Sequence, residues 1–526
     1  MIDLKNYSAQ NIKNDILSGM VVAVALVPEA IAFSFIAGVS PLVGLYAAFI
    51  IGLITSLFGG KPGMISGATG SVAVVFVGLG LAVKEMYPNL SGEELSVMIL
   101  HYILLTSILA GIWQMLVGVF KFAKFIRLVP QPALFGFVNG LAIVIALAQL
   151  KFLKPKDMSG IHSTWDMIQA SFTQNSEMYI IIALTMSIMY FLPKFTKAIP
   201  AGLVAIVAMT VGVYLLKIDT KTVSDLADIS GGLPHFVMPD TSLFTWESFK
   251  VIFPYSVIVA LVGLIESLLT LSVLDEMSGT RGSGNKEAAA LGCANTTSGL
   301  FGGMAGCAMI GQSVINFTSG GLGRLSSFTA SVLLILFVIS LSALIGTIPV
   351  AVLVGIMFMV SIGTFEFSSV SRLKYMPKAD AFVLIVVTII TVFFDLAVAV
   401  IAGIIISALV FAWQHAKIYS KSHFEDKNTK VYELDGPLFF GSVTSFNEQF
   451  EVEDDPKNII IDFKNARVMD ISGVEAIDAI TKKYKQLGKT LQLRHLSKDC
   501  KNLLKDAGPY CTYEENDPTY KVAANL

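Results

Sequence analysis

LFGGKPGMISGATGSVAVVFVG (57–78) and LFGGMAGCAMIGQSVINFTSG (300–320) open on the same four residues, followed by two free positions and a glycine. Beyond that glycine both stretches are rich in small residues and broken by further glycines. Each therefore reads as an extended piece leading into a half-helix. Self-similarity between the two halves of a membrane chain is the sequence sign of a transporter built from two structural repeats. An interrupted backbone is tolerated at membrane depth only where it is buried in protein or lines a watery cavity. Two interruptions at matched places thus point to a binding site near the midplane. There the half-helix amino termini present free N–H groups and partial positive charge, which favour an anion.

The rest of the chain supplies the membrane. Of its 526 residues 54% are hydrophobic, against roughly 45 to 50% in an average soluble domain even with glycine counted. Runs of about 17 to 25 residues with little charge recur along it, long enough to cross a hydrocarbon core of about 30 Å as helix. A soluble fold lacks the polar surface to hide so many all-round apolar helices. Fourteen segments are expected, near 16–37, 42–58, 68–84, 98–118, 130–150, 178–192, 200–216, 251–275, 286–302, 308–320, 326–346, 349–367, 380–396 and 398–418, with ends uncertain by about 4 residues. LFGG closes the second and the ninth. Seven is odd, so the second unit of seven enters from the opposite side. The repeats, about 16–217 and 250–420, are then inverted, within a transmembrane domain of about 16–420.

Charge sets the expected orientation. With the amino terminus inside, Lys121, Lys124, Arg127, Lys194, Lys197, Arg281, Lys286, Arg324, Arg372, Lys374, Lys378 and Lys417 fall on the cytoplasmic side. Lys151, Lys154 and Lys156 are the poor fit. Both termini are expected in the cytoplasm of a cell whose inner membrane holds the chain. The polar opening MIDLKNYSAQNIKND reads as a short cytoplasmic leader over about 1–15, with no cleavable signal peptide. A net charge of −2 gives no reason to expect nucleic acid. The four cysteines show no C-x-x-C or His-rich spacing, so neither zinc nor a disulfide framework is expected. RGSGNKE (281–287) lacks the order of a Walker phosphate loop, so an ATP-driven enzyme is not expected.

After about Phe424 the composition turns polar. KVYELDG, NIIIDFKN and TLQLRHLS read as strands, and SVTSFNEQFE, SGVEAIDAITKKYKQLG and KDCKNLLKDAG as helices. The alternation predicts a small α/β domain over about 428–526. The eighth apolar segment carries one interior charge, Glu266, with Thr270 one turn later. An acid kept at membrane depth usually faces a cavity or a partner. Glu266 is accordingly a candidate to hold a coupling ion, either Na⁺ with the Thr270 oxygen and backbone carbonyls or a proton. Glu29 is a weaker candidate, because Pro28 is expected to break the helix there and the acid to cap the break. Thr69, Ser71, Gln312 and Ser313 offer hydroxyl or amide groups at the two half-helix ends.

LVPEAIAFSFIAGVSPLVGLYAAF, ISGATGSVAVV, LVPQPALFGFVNGLAI, NKEAAALGCANTTSGLFGG and VMDISGVEAI together resemble the sulfate permease (SulP) family, the anion-transporter family that includes prestin. The resemblance implies core and gate domains as in uracil permease, a homodimer whose core moves in an elevator-like step, and a carboxy-terminal STAS domain (sulfate transporter and anti-sigma-factor antagonist). From the sodium-coupled bicarbonate branch it implies Na⁺ held by Glu266, Thr270, Ala308 and Met309, and the anion by Ala68, Thr69, Met309 and Ile310, with Gln312 the nearest polar side chain. Glu replaces that branch's Asp, and GCAMIGQS its threonine-bearing phrase, so Na⁺ and H⁺ coupling both stay open. Ser472 corresponds to the phosphorylated serine of soluble antagonists and is read as a turn residue or a regulatory site. No cofactor is implied beyond a possible coupling Na⁺. The expected function is secondary active transport of a small inorganic anion, bicarbonate or sulfate, in contact with membrane lipid. The alternatives are a dicarboxylate transporter, a chloride or anion exchanger, a nucleobase transporter, and an anion-sensing scaffold acting on a soluble partner through the STAS domain.

Overall fold

The protein was analysed as a computed structural model, which describes residues 8–126, 131–154, 171, 173–196, 201–226, 232–237, 240–393, 402–403, 405–406, 408–410, 412 and 416–504. The chain divides into two compact units, Met1–Ile404 and Ile405–Leu526. Arg127, Lys156, Lys197 and most of the expected fourteenth segment lie outside the described residues.

In the first unit the apolar runs form helices α1 (Ala9–Ala37), α2 (Pro41–Phe58), α3 (Gly70–Met86), α4 (Gly92–Val119), α5 (Gln131–Gln149), α6 (Ser176–Phe195), α7 (Ala201–Leu216), α8 (Trp246–Ser278), α9 (Gly284–Leu300), α10 (Ile310–Thr318), α11 (Arg324–Gly346), α12 (Val350–Thr364) and α13 (Lys378–Phe393). Among the described residues, eight helices are long and apolar enough to cross a membrane. The shorter α9 is only weakly apolar and survives by packing. Gly111 of α4 and Gly292 of α9 let the two backbones touch: a Cβ on Gly292 would stand 2.3 Å from the Met115 nitrogen. Small residues at such crossings are how membrane helices approach closely without a hydrophobic driving force.

Three expectations are corrected. Pro28 does not end its helix; α1 runs through it for 29 residues. In a packed membrane helix neighbouring groups re-satisfy the backbone that proline frees, so the helix continues and Glu29 caps no break. α3 spans 17 residues, about 25 Å at 1.5 Å per residue, and is more than a half-helix; the nine-residue α10 is one.

The second unit holds a four-stranded sheet in the order β3-β4-β5-β6, from β3 (Tyr419–Asp426), β4 (Thr429–Leu438), β5 (Asn458–Val468) and β6 (Thr490–Arg494). β3 pairs antiparallel with β4, and the other neighbours pair parallel. Helices α14 (Ile471–Gln486) and α15 (Lys498–Leu504) follow β5 and β6. The sequence reading does not anticipate β3. It is an exposed edge strand with no buried face, so YSKSHFED carries no alternation of apolar and polar residues. Fully buried Asp455 accepts from Lys430 at 2.7 Å, Tyr432 at 2.9 Å and Tyr484 at 2.5 Å. A buried carboxylate is stable only with such partners.

Candidate functional site

Past each LFGG phrase the chain straightens into a two-residue strand, β1 (Ser66–Gly67) and β2 (Cys307–Ala308). The two cross antiparallel, Ser66 opposite Ala308 and Gly67 opposite Cys307, and the Met309 N–H donates to the Ile65 carbonyl at 2.9 Å. Glycine is required here by contact: a Cβ on Gly306 would lie 1.9 Å from the Gly67 oxygen. α3 begins after Thr69 and α10 after Met309, and among the described residues no side chain caps either first turn. Two helix amino termini thus leave one small crossing with first N–H groups that no described residue caps. Such groups bind anions.

Of the anion residues implied by the resemblance, Ala68, Thr69 and Met309 are buried at this crossing, and Ile310 is 38% exposed. Gln312, in the first turn of α10, donates its side-chain amide to the Glu29 carboxylate of α1. The sequence reading treats these two residues separately. Only folding shows them as partners, because they are far apart in the chain.

Glu266 meets the crossing from α8. Its Oε2 accepts from Ser71 Oγ at 2.5 Å and from Cys307 Sγ at 2.6 Å. Among the described residues Oε1 accepts no hydrogen bond. Thr270 Oγ1 donates to the Glu266 carbonyl at 2.8 Å and stands 3.5 Å from the Ala308 carbonyl, while the Ala308 N–H donates to Ser267 Oγ at 3.0 Å. The Met309 carbonyl is used by Ser313 N–H at 3.0 Å in the first turn of α10. Of the two backbone positions implied for a cation, Ala308 is therefore the one that meets α8. Carboxylate, hydroxyl and carbonyl oxygens are the donor set that suits a hard cation. Ser267 and Cys307 are missed by sequence reading. Cys307 reads as an ordinary apolar-segment cysteine until β1–β2 pairing turns it to the acid.

The two LFGG phrases share spelling but not backbone. In the first the left-handed glycine is Gly63 (φ +75°), in the second Gly302 (φ +78°). The first phrase is an anchor. Lys61, 6% exposed, pairs with Asp275 of α8 at 2.7 Å and reaches Ser278 at the end of that helix and Thr280 just past it. The Gly60 N–H donates to Glu287 of α9 at 2.6 Å, and Arg324 of α11 donates to the carbonyls of Ser56 and Gly59. In the second unit Ser472 lies half-buried in the first turn of α14, which Asp470 caps by accepting from Gly473 N–H at 2.9 Å.

The sequence pattern of the sulfate permease family matches residues 12–387, and that of the STAS domain residues 424–511. The chain belongs to the sulfate permease family. It is 44% identical over 504 residues to the putative sulfate transporter YbaR of Bacillus subtilis, covering 95% of this chain and 98% of that protein. It is 27% identical over 495 residues to the bicarbonate transporter BicA of Picosynechococcus, covering 89% and 86%. The solved structure of SLC26A9 superposes with a TM-score of 0.79 over 95% of this chain and 87% of that one, at 18% identity, which shows a common fold. These relatives are transporters, not enzymes. The protein is a multi-pass membrane transporter with a carboxy-terminal STAS domain.

Proposed function

We propose that this sulfate permease family member is a secondary active transporter of a small anion, bicarbonate or sulfate, with uptake coupled to Na⁺ or H⁺ through Glu266. The single observation that supports it best is the β1–β2 crossing, which brings two uncapped helix amino termini and one membrane-embedded acid to the same place. The anion sits against the first turns of α3 and α10, at Ala68, Thr69, Met309 and Ile310, with Gln312 held by Glu29 at its edge. The coupling cation sits at Glu266 with Thr270 and Ala308, and with Met309 as the weaker fourth group. An anion and a cation bound side by side attract each other where dielectric is low, so each raises the other's affinity, and reciprocally.

The wider reading is that fourteen segments form two inverted repeats of seven, organised as core and gate domains. The core of each protomer in a homodimer carries both ions across the inner membrane in an elevator-like step. Both termini face the cytoplasm, where the STAS domain meets a soluble partner, and Ser472 serves as a turn residue unless a kinase reaches it. The choice of anion is motivated by the relatives, YbaR being a putative sulfate transporter and BicA a bicarbonate transporter.

The test is uptake of labelled bicarbonate, sulfate and succinate by the purified chain in liposomes, under imposed Na⁺ or H⁺ gradients. Accumulation of one of the two inorganic anions, driven by one gradient, is expected. Binding without flux for every anion would favour an anion sensor, and succinate uptake alone a dicarboxylate carrier.

A further inference from the structure

Thr69 and Glu266 are joined by side chains that each carry a single proton. Thr69 Oγ1 lies 3.2 Å from Ser71 Oγ and 3.1 Å from Cys307 Sγ. Ser71 and Cys307 each donate to the same carboxylate oxygen of Glu266, at 2.5 and 2.6 Å, and stand 4.0 Å from one another. Thr69, Ser71 and Cys307 are 3%, 1% and 0% exposed, so these side chains meet one another away from the surface. Two parallel routes, one through each residue, therefore run from the proposed anion position to the proposed coupling acid. One route stays on the α3 side of the crossing, and the other passes through β2.

We infer that Ser71 and Cys307 form a hydrogen-bond relay that transmits the charge of Glu266 to Thr69, and so makes anion affinity depend on the coupling cation. The relay rests on the reading above, that the anion binds at Thr69 and the cation at Glu266. Proton counting gives its direction. A hydroxyl or thiol has one proton to donate and lone pairs to accept with. While Glu266 is a bare carboxylate, Ser71 and Cys307 both point their protons at it and offer only lone pairs to Thr69. The Thr69 proton then turns toward them, and an arriving anion meets a hydroxyl lone pair. When a cation neutralises Glu266, the carboxylate holds its two donors less strongly. One of them swings to Thr69, whose own proton becomes free to point at the anion. No bond to carbon breaks and no proton leaves the set; the hydrogens rotate about C–O and C–S bonds. Na⁺ at Oε1 produces this reversal without displacing either donor from Oε2.

Ser71 and Cys307 are positioning residues, and their signature is the cation dependence of the anion KM. The full chain in liposomes is measured with labelled sulfate and labelled bicarbonate as probes, at saturating and at low coupling cation. Wild type should show a KM shift on the order of tenfold, inside the 5- to 150-fold range of coupled sites. Cys307→Ser keeps a one-proton donor and should keep the shift. Cys307→Ala and Ser71→Ala each leave one route and should show a smaller shift. The double variant Ser71→Ala/Cys307→Ala should show the smallest shift, only the direct attraction between the two ions remaining. A double variant with the wild-type shift overturns the relay. If the double variant does not elute as a folded protein, single alanine variants with the full wild-type shift overturn it instead. Glu266→Gln separates the two ideas: a shift that survives in this variant sinks the coupling reading itself, whereas its loss there beside a full shift in the double variant sinks only the relay. Absence of any uptake by wild type overturns both.

Discussion

Glu266 stands out at the residue scale because an acid inside an apolar run is conspicuous on its own. Its neighbours are not. Cys307 becomes a partner through a two-residue antiparallel register, and Gln312 through a helix 283 positions earlier; neither relation leaves a local mark in the sequence. Thr69 was legible as a hydroxyl at a half-helix end, and its burial at the crossing sharpens the expectation for it. Thr69→Val keeps the size and removes the hydroxyl. A hydrogen bond to a charged group contributes about 1.5 to 3 kcal/mol, and each 1.4 kcal/mol is about tenfold. The anion KM measured in liposomes should therefore rise roughly tenfold or more, with the maximal rate changed less. An unchanged KM would remove Thr69 from the anion site.

At the scale of elements, what the glycines announced was close approach. LFGG was readable as a repeated mark, yet the left-handed glycine follows the first copy, at Gly63, and lies within the second, at Gly302, and the first stretch is tied to α8, α9 and α11 by Lys61, Gly60 and Arg324. Contacts of that kind belong to the assembled bundle. Gly306→Ala puts a Cβ against the Gly67 oxygen and must push β1 and β2 apart. Overpacking of this kind costs typically 1 to 3 kcal/mol, and gradient-driven uptake should fall more than tenfold even where the protein still folds, as judged by its melting in detergent. Gly279→Ala is the contrasting control, since nothing lies near its Cβ, although its φ of +66° adds local strain. In the STAS domain, strand β3 was illegible for the opposite reason, having no buried face to set a pattern.

The buried Asp455 cluster makes two element-scale predictions. Asp455→Ala removes the buried carboxylate shared by Lys430, Tyr432 and Tyr484, leaves Lys430 only the exposed Glu451 at 3.0 Å, and should destabilise the STAS domain by about 3 kcal/mol, read by pulse proteolysis of the full chain. Burial first, then the bond and field of Asp455, push the Tyr484 hydroxyl well above its ordinary value of 10.0. The folded domain therefore holds this proton more tightly than the unfolded chain. Stability is intact below pH about 10 and falls as pH rises past it, so protease resistance of the STAS domain should decline above pH about 10. In Tyr484→Phe that decline should be smaller.

For the whole molecule, the apolar runs, the charged tail and the doubled phrase were sufficient to anticipate a membrane bundle followed by an α/β domain, and the family matches show a sulfate permease domain followed by a STAS domain. Which anion is carried was not readable, because the proposed site at the crossing offers backbone N–H groups and one hydroxyl, none of which counts negative charges. The proposed coupling is more accessible, since it rests on one carboxylate. The most direct measurement compares two modes of labelled-anion movement in liposomes holding the full-length wild type or Glu266→Gln: accumulation driven by a Na⁺ or H⁺ gradient, and one-for-one anion exchange without a gradient. Loss of accumulation in Glu266→Gln with exchange retained is the expected result. Accumulation at the wild-type level in that variant would contradict the assignment of Glu266 as the coupling residue.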